Sequence, residues 1–187
     1  SIIIASTIIQ TLQSIQTRET DVLTPTSIVF GRIKGGTARN IVTEKVEMGG
    51  TIRFLYENEE SGKKELLGKV ERLVKGICAA MRAEYEIKFI PSNPAVMNHP
   101  EIVELVRVSV KETYGNEGTI VPYMCMGGDD FAYFTQKVPS TYCFLGIGSK
   151  DKGSNYPHHH PRFDIDEDIL AYGTEVHIRT ALRFLNR

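Results

Sequence analysis

Tryptophan is absent from the 187 residues, and cysteine is scarce. The three cysteines, Cys78, Cys125 and Cys143, stand far apart and form no Cys-x-x-Cys pair. Neither a disulfide framework nor a cysteine zinc site is written into the chain, and reduced thiols in a cytoplasmic protein are the expectation. Charge of one sign is equally lacking. The 22 Lys and Arg against 23 Asp and Glu leave a formal net charge of −1, which gives no field to recruit nucleic acid or an anionic membrane. The apolar opening Ile2-Ile3-Ile4-Ala5 is soon broken by Ser6, Thr7 and Gln10 and has no basic region before it, so it reads as neither a signal peptide nor a membrane span. No Walker or dinucleotide glycine pattern surrounds Gly35-Gly36, which argues against a phosphate cradle there.

What is present is an ordinary globular balance, 41% hydrophobic and 24% charged, enough for one domain or two small ones. The chain begins on Ser1 and enters a helical apolar pattern at once, which reads as a piece of a longer protein. Ile4, Ile8, Ile9, Leu12 and Ile15 predict an amphipathic helix over 2–17. Ser27 to Ile33 and Lys45 to Tyr56 predict two strands joined by a Gly-rich loop, and Leu66, Val70, Leu73, Val74, Ile77 and Met81 predict a second helix over 61–83. Glu84 to Ile90 alternates as a third strand. Helix, strand, strand, helix, strand becomes the split βαββαβ, or ferredoxin-like, unit if one strand is added before Ser1. Two helices on one face of an antiparallel sheet are the simplest packing for it.

Pro91-Ser92-Asn93-Pro94 marks a boundary, giving units 1–93 and 94–187. The second unit reads as α/β. A helix starts at Pro100 and stops near Gly115. A glycine-hinged loop runs over Met124 to Asp130, followed by a short helix at Phe131 and a buried strand over Thr141 to Gly148. A last helix is opened by Asp166, Glu167 and Asp168, with Ile169, Val176, Ala181, Leu182 and Leu185 inward.

Three of the five histidines, His158, His159 and His160, lie between Pro157 and Pro161. Neutral imidazole suits zinc, cobalt, nickel and manganese. In an extended loop neighbouring side chains point to opposite sides, so at most two of the three can share an ion. A hydrolytic metal centre needs three or more protein ligands with an open position for water, and the remainder must come from elsewhere.

Four ordered motifs, Gly35-Gly36-Thr37-Ala38-Arg39-Asn40, Gly50-Thr51-Ile52-Arg53, Met126-Gly127-Gly128-Asp129-Asp130-Phe131-Ala132 and His159-His160-Pro161-Arg162-Phe163-Asp164, span most of the chain. With Leu12 to Arg18 before them, they resemble the M20 metallopeptidase family. More narrowly, they are similar to its amidohydrolase branch of hippurate hydrolases, N-acyl-amino-acid deacylases and auxin-conjugate hydrolases. The resemblance implies a zinc-peptidase-like catalytic domain interrupted by a ferredoxin-like lid that dimerises. Residues 1–93 would be most of the lid and 94–187 the end of the catalytic domain. It also implies two divalent ions, Zn, Mn, Co or Ni, in the complete enzyme, with the Cys-x-His pair, the Glu-Glu pair containing the base and a further histidine outside this chain.

By the family's His-x-Pro register the metal ligand here is His159. The same resemblance gives Asn40 a catalytic contact to the developing oxyanion and Arg53 a bidentate grip on the substrate carboxylate, both able to reach across a dimer. Gly127 and Gly128 would let backbone approach the substrate. The sequence departs from the family at Asn40-Ile41-Val42-Thr43-Glu44, where proline commonly follows the two apolar residues, and at Asp130, where glutamate is common. The expected activity is hydrolysis of the amide bond of an N-acyl amino acid or small peptide, with this fragment alone inactive and binding no metal of its own necessity. The alternative is a non-enzymatic dimerisation or interaction module with incidental histidines, and Asp129 and Asp130 as ordinary helix caps.

Overall fold

The computed structural model describes residues 1–56, 58–115 and 118–187. Its elements are α1 (Ile2–Arg18), β1 (Thr26–Gly35), β2 (Val46–Phe54), α2 (Glu59–Ala80), α3 (Pro100–Tyr114), α4 (Ala132–Thr135) and α5 (Asp168–Leu185). The architecture is mixed α/β, and the chain divides into two compact units, Ser1–Ala95 with Cys125–Gly128, and Val96–Met124 with Asp129–Arg187.

In the first unit β1 and β2 pair antiparallel from Thr26↔Phe54 to Gly35↔Val46, with an irregularity between Phe30 and Arg32. Along β2 the pleat sends Ile52 and Phe54 toward the core and leaves Thr51 and Arg53 on the open face. Helical spacing does the same for α1, which buries Ala5, Ile8, Leu12 and Ile15. The shared core is Ile8, Leu12, Ile15, Ile28, Leu66, Val70, Val74 and Cys78. Each large aliphatic side chain withdrawn from water there contributes roughly 1.5–3 kcal/mol. Asn58 caps α2, its side-chain oxygen accepting from the Ser61 N–H at 3.0 Å, while Glu59 and Glu60 complement the positive end of the helix.

The third strand expected over Glu84–Ile90 is not formed. Ala83 and Ile87 still pack against the core, but the sheet has two strands only among the described residues. Alternation chooses a face; a strand also needs a neighbour for its ladder, and among the described residues no strand pairs with this segment.

In the second unit α3 packs on α5. Tyr114 stacks on Tyr172 with centroids 5.1 Å apart, and Glu112 receives Arg183 and Arg179. Two expectations are corrected here. Thr141–Gly148 is extended without a ladder and largely exposed, with Phe144 at 52%, so it is not a buried strand. On α5 only Val176 is buried, whereas Leu182 and Leu185 are 54% and 75% exposed. An apolar stripe names the face that can be covered, and burial then depends on what lies over it.

Candidate functional site

Asn40 sits on the turn of the β1–β2 connection, fully exposed, with the Ile41 N–H reaching the Ala38 carbonyl at 3.4 Å behind it. Arg53 projects from the open face of β2 opposite Ser27. Its Nη1 donates to the Met126 carbonyl oxygen at 2.6 Å. Two of the sequence-selected motifs therefore meet in one unit, Gly50 to Arg53 and Met126 to Gly128. Gly127 and Gly128 are exposed. A Cβ on Gly127 would meet only the Cys125 Sγ at 3.6 Å, and one on Gly128 only the Asn93 Nδ2 at 3.9 Å. Packing of the described chain does not require glycine at either place, which leaves the space beside this turn open to a ligand.

Asp129 is committed to the local backbone. Its Oδ1 accepts from the Phe131 N–H at 2.8 Å and its Oδ2 from the Tyr142 hydroxyl at 3.0 Å. That is the turn-closing role expected of an aspartate before a helix.

The histidine loop belongs to the second unit and is not extended as expected. The His160 N–H returns to the Pro157 carbonyl at 3.1 Å, closing a four-residue turn with His159 third. His159 has φ of 66° there, the sign that a type II turn demands at its third residue. Pro157 fixes the entry to the turn and Pro161 its exit, which is why the segment folds back instead of running straight. The three rings separate accordingly. His160 stacks on Tyr156 at 4.4 Å and 12°, His158 meets the edge of Phe163 at 5.1 Å, and His159 stands exposed at the apex.

The loop stem is closed by the Asp166 N–H on the Ile147 carbonyl at 2.8 Å. Lys152 adds a brace, its Nζ 2.5 Å from both Asp166 Oδ1 and Asp168 Oδ2. Hydrogen bonding from Lys152 is the main cause holding the Asp166 carboxyl below its ordinary range, and the two carboxylates raise the Lys152 ammonium in return. Sequence reasoning missed this brace and the Tyr156–His160 stack. The signal was a lysine and a pair of aspartates 14 and 16 residues apart, a spacing that no periodicity rule selects.

Among the described residues no group of three or more His, Cys, Asp or Glu is placed to hold a metal ion. The single donor that the resemblance assigns to this chain does fit such a role: His159 is the one histidine of the loop whose ring, among the described residues, is engaged by neither a ring contact nor a hydrogen bond. Its ring is exposed at a loop apex, on a backbone in the left-handed region that a non-glycine residue rarely adopts.

The sequence model of the peptidase family M20/M25/M40 matches residues 9–183. The "Thermostable carboxypeptidase 1" of Saccharolobus solfataricus is 35% identical over all of this chain and 46% of its own length. The "IAA-amino acid hydrolase ILR1-like 2" of Arabidopsis thaliana is 27% identical over 98% of this chain and 42% of its own. The crystal structure of the Bacillus subtilis YXEP protein, a dinuclear metal binding peptidase from the M20 family, superposes with a TM-score of 0.81 at 24% identity, covering 99% of this chain and 46% of that one. The chain thus spans about half the length of the relatives it matches. With a family match over nearly all its residues and the family's ordered motifs in place, the chain belongs to the peptidase family M20/M25/M40.

Proposed function

We propose that this chain is part of a metal-dependent amidohydrolase that cleaves the amide bond of N-acyl amino acids or small peptides. Residues 1–93 form most of a ferredoxin-like lid that dimerises, and 94–187 the C-terminal part of the catalytic domain. The observation that carries the reading is the Arg53–Met126 bond, which sets a guanidinium beside the backbone that leads into the exposed Gly127 and Gly128. A planar cation beside accessible backbone is suited to a carboxylate, which it can grip with two parallel hydrogen bonds. That is the group every N-acyl amino acid presents.

In this assignment Arg53 holds the substrate carboxylate, and Gly127 and Gly128 let backbone lie close to the substrate. Asn40 directs its amide at the oxygen that gains charge as the carbonyl is attacked. His159 contributes one imidazole to a centre of two divalent ions, Zn, Mn, Co or Ni. When bound, those ions supply Lewis-acid polarisation and activated water. The other ligands and the general base lie outside these residues, so the 187-residue chain alone is inactive.

The test is hydrolysis by the intact protein of N-acetyl and N-benzoyl amino acids, followed as free amino acid released with each metal and after chelation. Chelator-sensitive turnover by the intact protein, with none from the isolated chain, is expected. No turnover with any of the four metals, or full turnover by the isolated chain, would overturn the reading.

A further inference from the structure

The histidine loop contains more order than a single ligand at its apex explains. Tyr156 and His160 lie face to face at 4.4 Å and 12°. The Arg162 guanidinium sits 5.8 Å from the Tyr156 ring centroid, and its Nη1 donates to the Tyr156 hydroxyl at 3.1 Å. The Arg162 N–H also donates to His160 Nδ1 at 3.0 Å. Three side chains thus lock to one another across the base of the turn. On the other flank His158 meets Phe163 at 84°, and the Phe163 N–H donates to the His160 carbonyl at 2.9 Å. His159 is held between these contacts at φ 66°.

A non-glycine residue in the left-handed region relaxes unless its surroundings over-determine it. Positive φ at His159 therefore calls for a restraint, and the residues on either side of it supply one. The contacts also distinguish the three rings. His160 has its Nδ1 turned to the Arg162 backbone and its face against Tyr156, and His158 has its ring against Phe163. Among the described residues the His159 ring alone is left without such a contact.

We propose that Tyr156, His160 and Arg162 are positioning residues that fix the turn conformation at His159, so that the loop enters a metal centre preorganised. This rests on the reading of His159 as a metal ligand. Loss of the groups that hold a metal-binding histidine in place typically changes metal affinity by about 10- to 100-fold. Their contribution to global stability is small where they are exposed, and Arg162 is exposed.

The experiment compares the intact protein with Tyr156→Ala, Tyr156→Phe and Arg162→Ala. Zinc affinity is measured by chelator competition and metal-free thermal stability by calorimetry. Tyr156→Ala and Arg162→Ala are expected to weaken zinc binding about 10- to 100-fold with little change in metal-free melting. Tyr156→Phe keeps the stack and loses only the hydroxyl bond to Arg162, so it should recover most of the affinity. Wild-type affinity within about twofold in all three variants, or losses that follow melting temperature alone, would overturn the positioning role while leaving the proposed function intact. Wild-type protein that takes up no metal would overturn both.

Discussion

Arg53 Nη1 and the Met126 carbonyl oxygen lie 2.6 Å apart, although 73 residues separate them in sequence. The bond uses one of the five N–H donors of the guanidinium and holds the group beside the backbone of Met126, next to Gly127 and Gly128. The donors not used by Met126 are the ones a carboxylate would engage. Backbone anchoring thus orients the cation in advance, and less side-chain entropy is lost when substrate binds.

Replacing Arg53 by alanine in the intact protein should therefore act on binding. A charge-assisted contact is worth about 1.5–3 kcal/mol, so KM for an N-acyl amino acid should rise about 10- to 100-fold with kcat within about threefold of wild type. Lysine at the same position cannot form the two-pronged grip and should restore little. Steady-state kinetics against an N-acyl amino acid and its carboxamide settles the matter: if Arg53→Ala penalises the two equally, Arg53 does not bind the carboxylate.

At His159 the backbone conflicts with the residue type. Left-handed φ costs an L-residue roughly 1–2 kcal/mol, a cost that glycine avoids. His159→Gly should leave the metal-free intact protein as stable as wild type or up to about 1 kcal/mol more stable, while His159→Ala gains nothing. Both should lose metal occupancy. Stability and occupancy moving in opposite directions in the glycine variant would mark the strain as functional, and retention of full occupancy by that variant would remove His159 from the metal centre. Elemental analysis alongside melting in chelator reads both quantities.

Much of the fold was legible because it depends on local periodicity. Ile8, Leu12 and Ile15 announce α1, Leu66, Val70 and Val74 announce α2, and each is buried as its spacing requires. The errors fall where a neighbour decides. Glu84–Ile90 and Thr141–Gly148 have strand-like composition, yet no ladder partner lies beside them among the described residues. Leu182 and Leu185 have helical spacing, yet the described residues leave more than half of each exposed. In the site, the motifs selected residues by type, but the meeting of Arg53 with Met126 is a long-range event that no local pattern encodes. In the histidine loop side-chain alternation fails across the two prolines, where the hydrogen bond from His160 back to Pro157 makes a turn instead of an extended segment.

The Lys152 brace predicts a particular pH dependence. Asp166 is held below its ordinary range when folded, so its contribution to stability is present above the unfolded carboxylate pKa and fades as the pH falls through the lower folded value. Lys152 is raised when folded, so its contribution is complete below the unfolded lysine pKa and fades as the pH rises through the higher folded value. The stability difference between wild type and Lys152→Met should be flat from about pH 5 to 9 and shrink on both the acid and alkaline sides. It should also shrink in high salt, because the lysine side chain is half exposed. Denaturant melts across pH supply the measurement, and a difference that grows toward acid would show that the brace is not what stabilises the stem.

The same substitution on one helix should carry opposite signs at different places along α2. Alanine in a helix interior is better than glycine by about 1 kcal/mol on propensity alone. Around Gly68 and Gly76 nothing lies within 4 Å of an added Cβ, so Gly68→Ala and Gly76→Ala should each stabilise the intact protein by up to that amount. Gly62 is buried in the first turns of α2, and a Cβ there would fall 1.7 Å from Tyr56 Cδ2. Tyr56 has little freedom to retreat, with its ring 5.2 Å from Phe54 and its hydroxyl 3.2 Å from Thr26 Oγ1. Overpacking of this kind costs about 1–3 kcal/mol, which exceeds the propensity gain, so Gly62→Ala should lower the urea midpoint while the other two raise it. If all three variants gain stability, the Tyr56 ring is not seated over the start of α2, and with it would go the packing that ties the end of β2 to that helix.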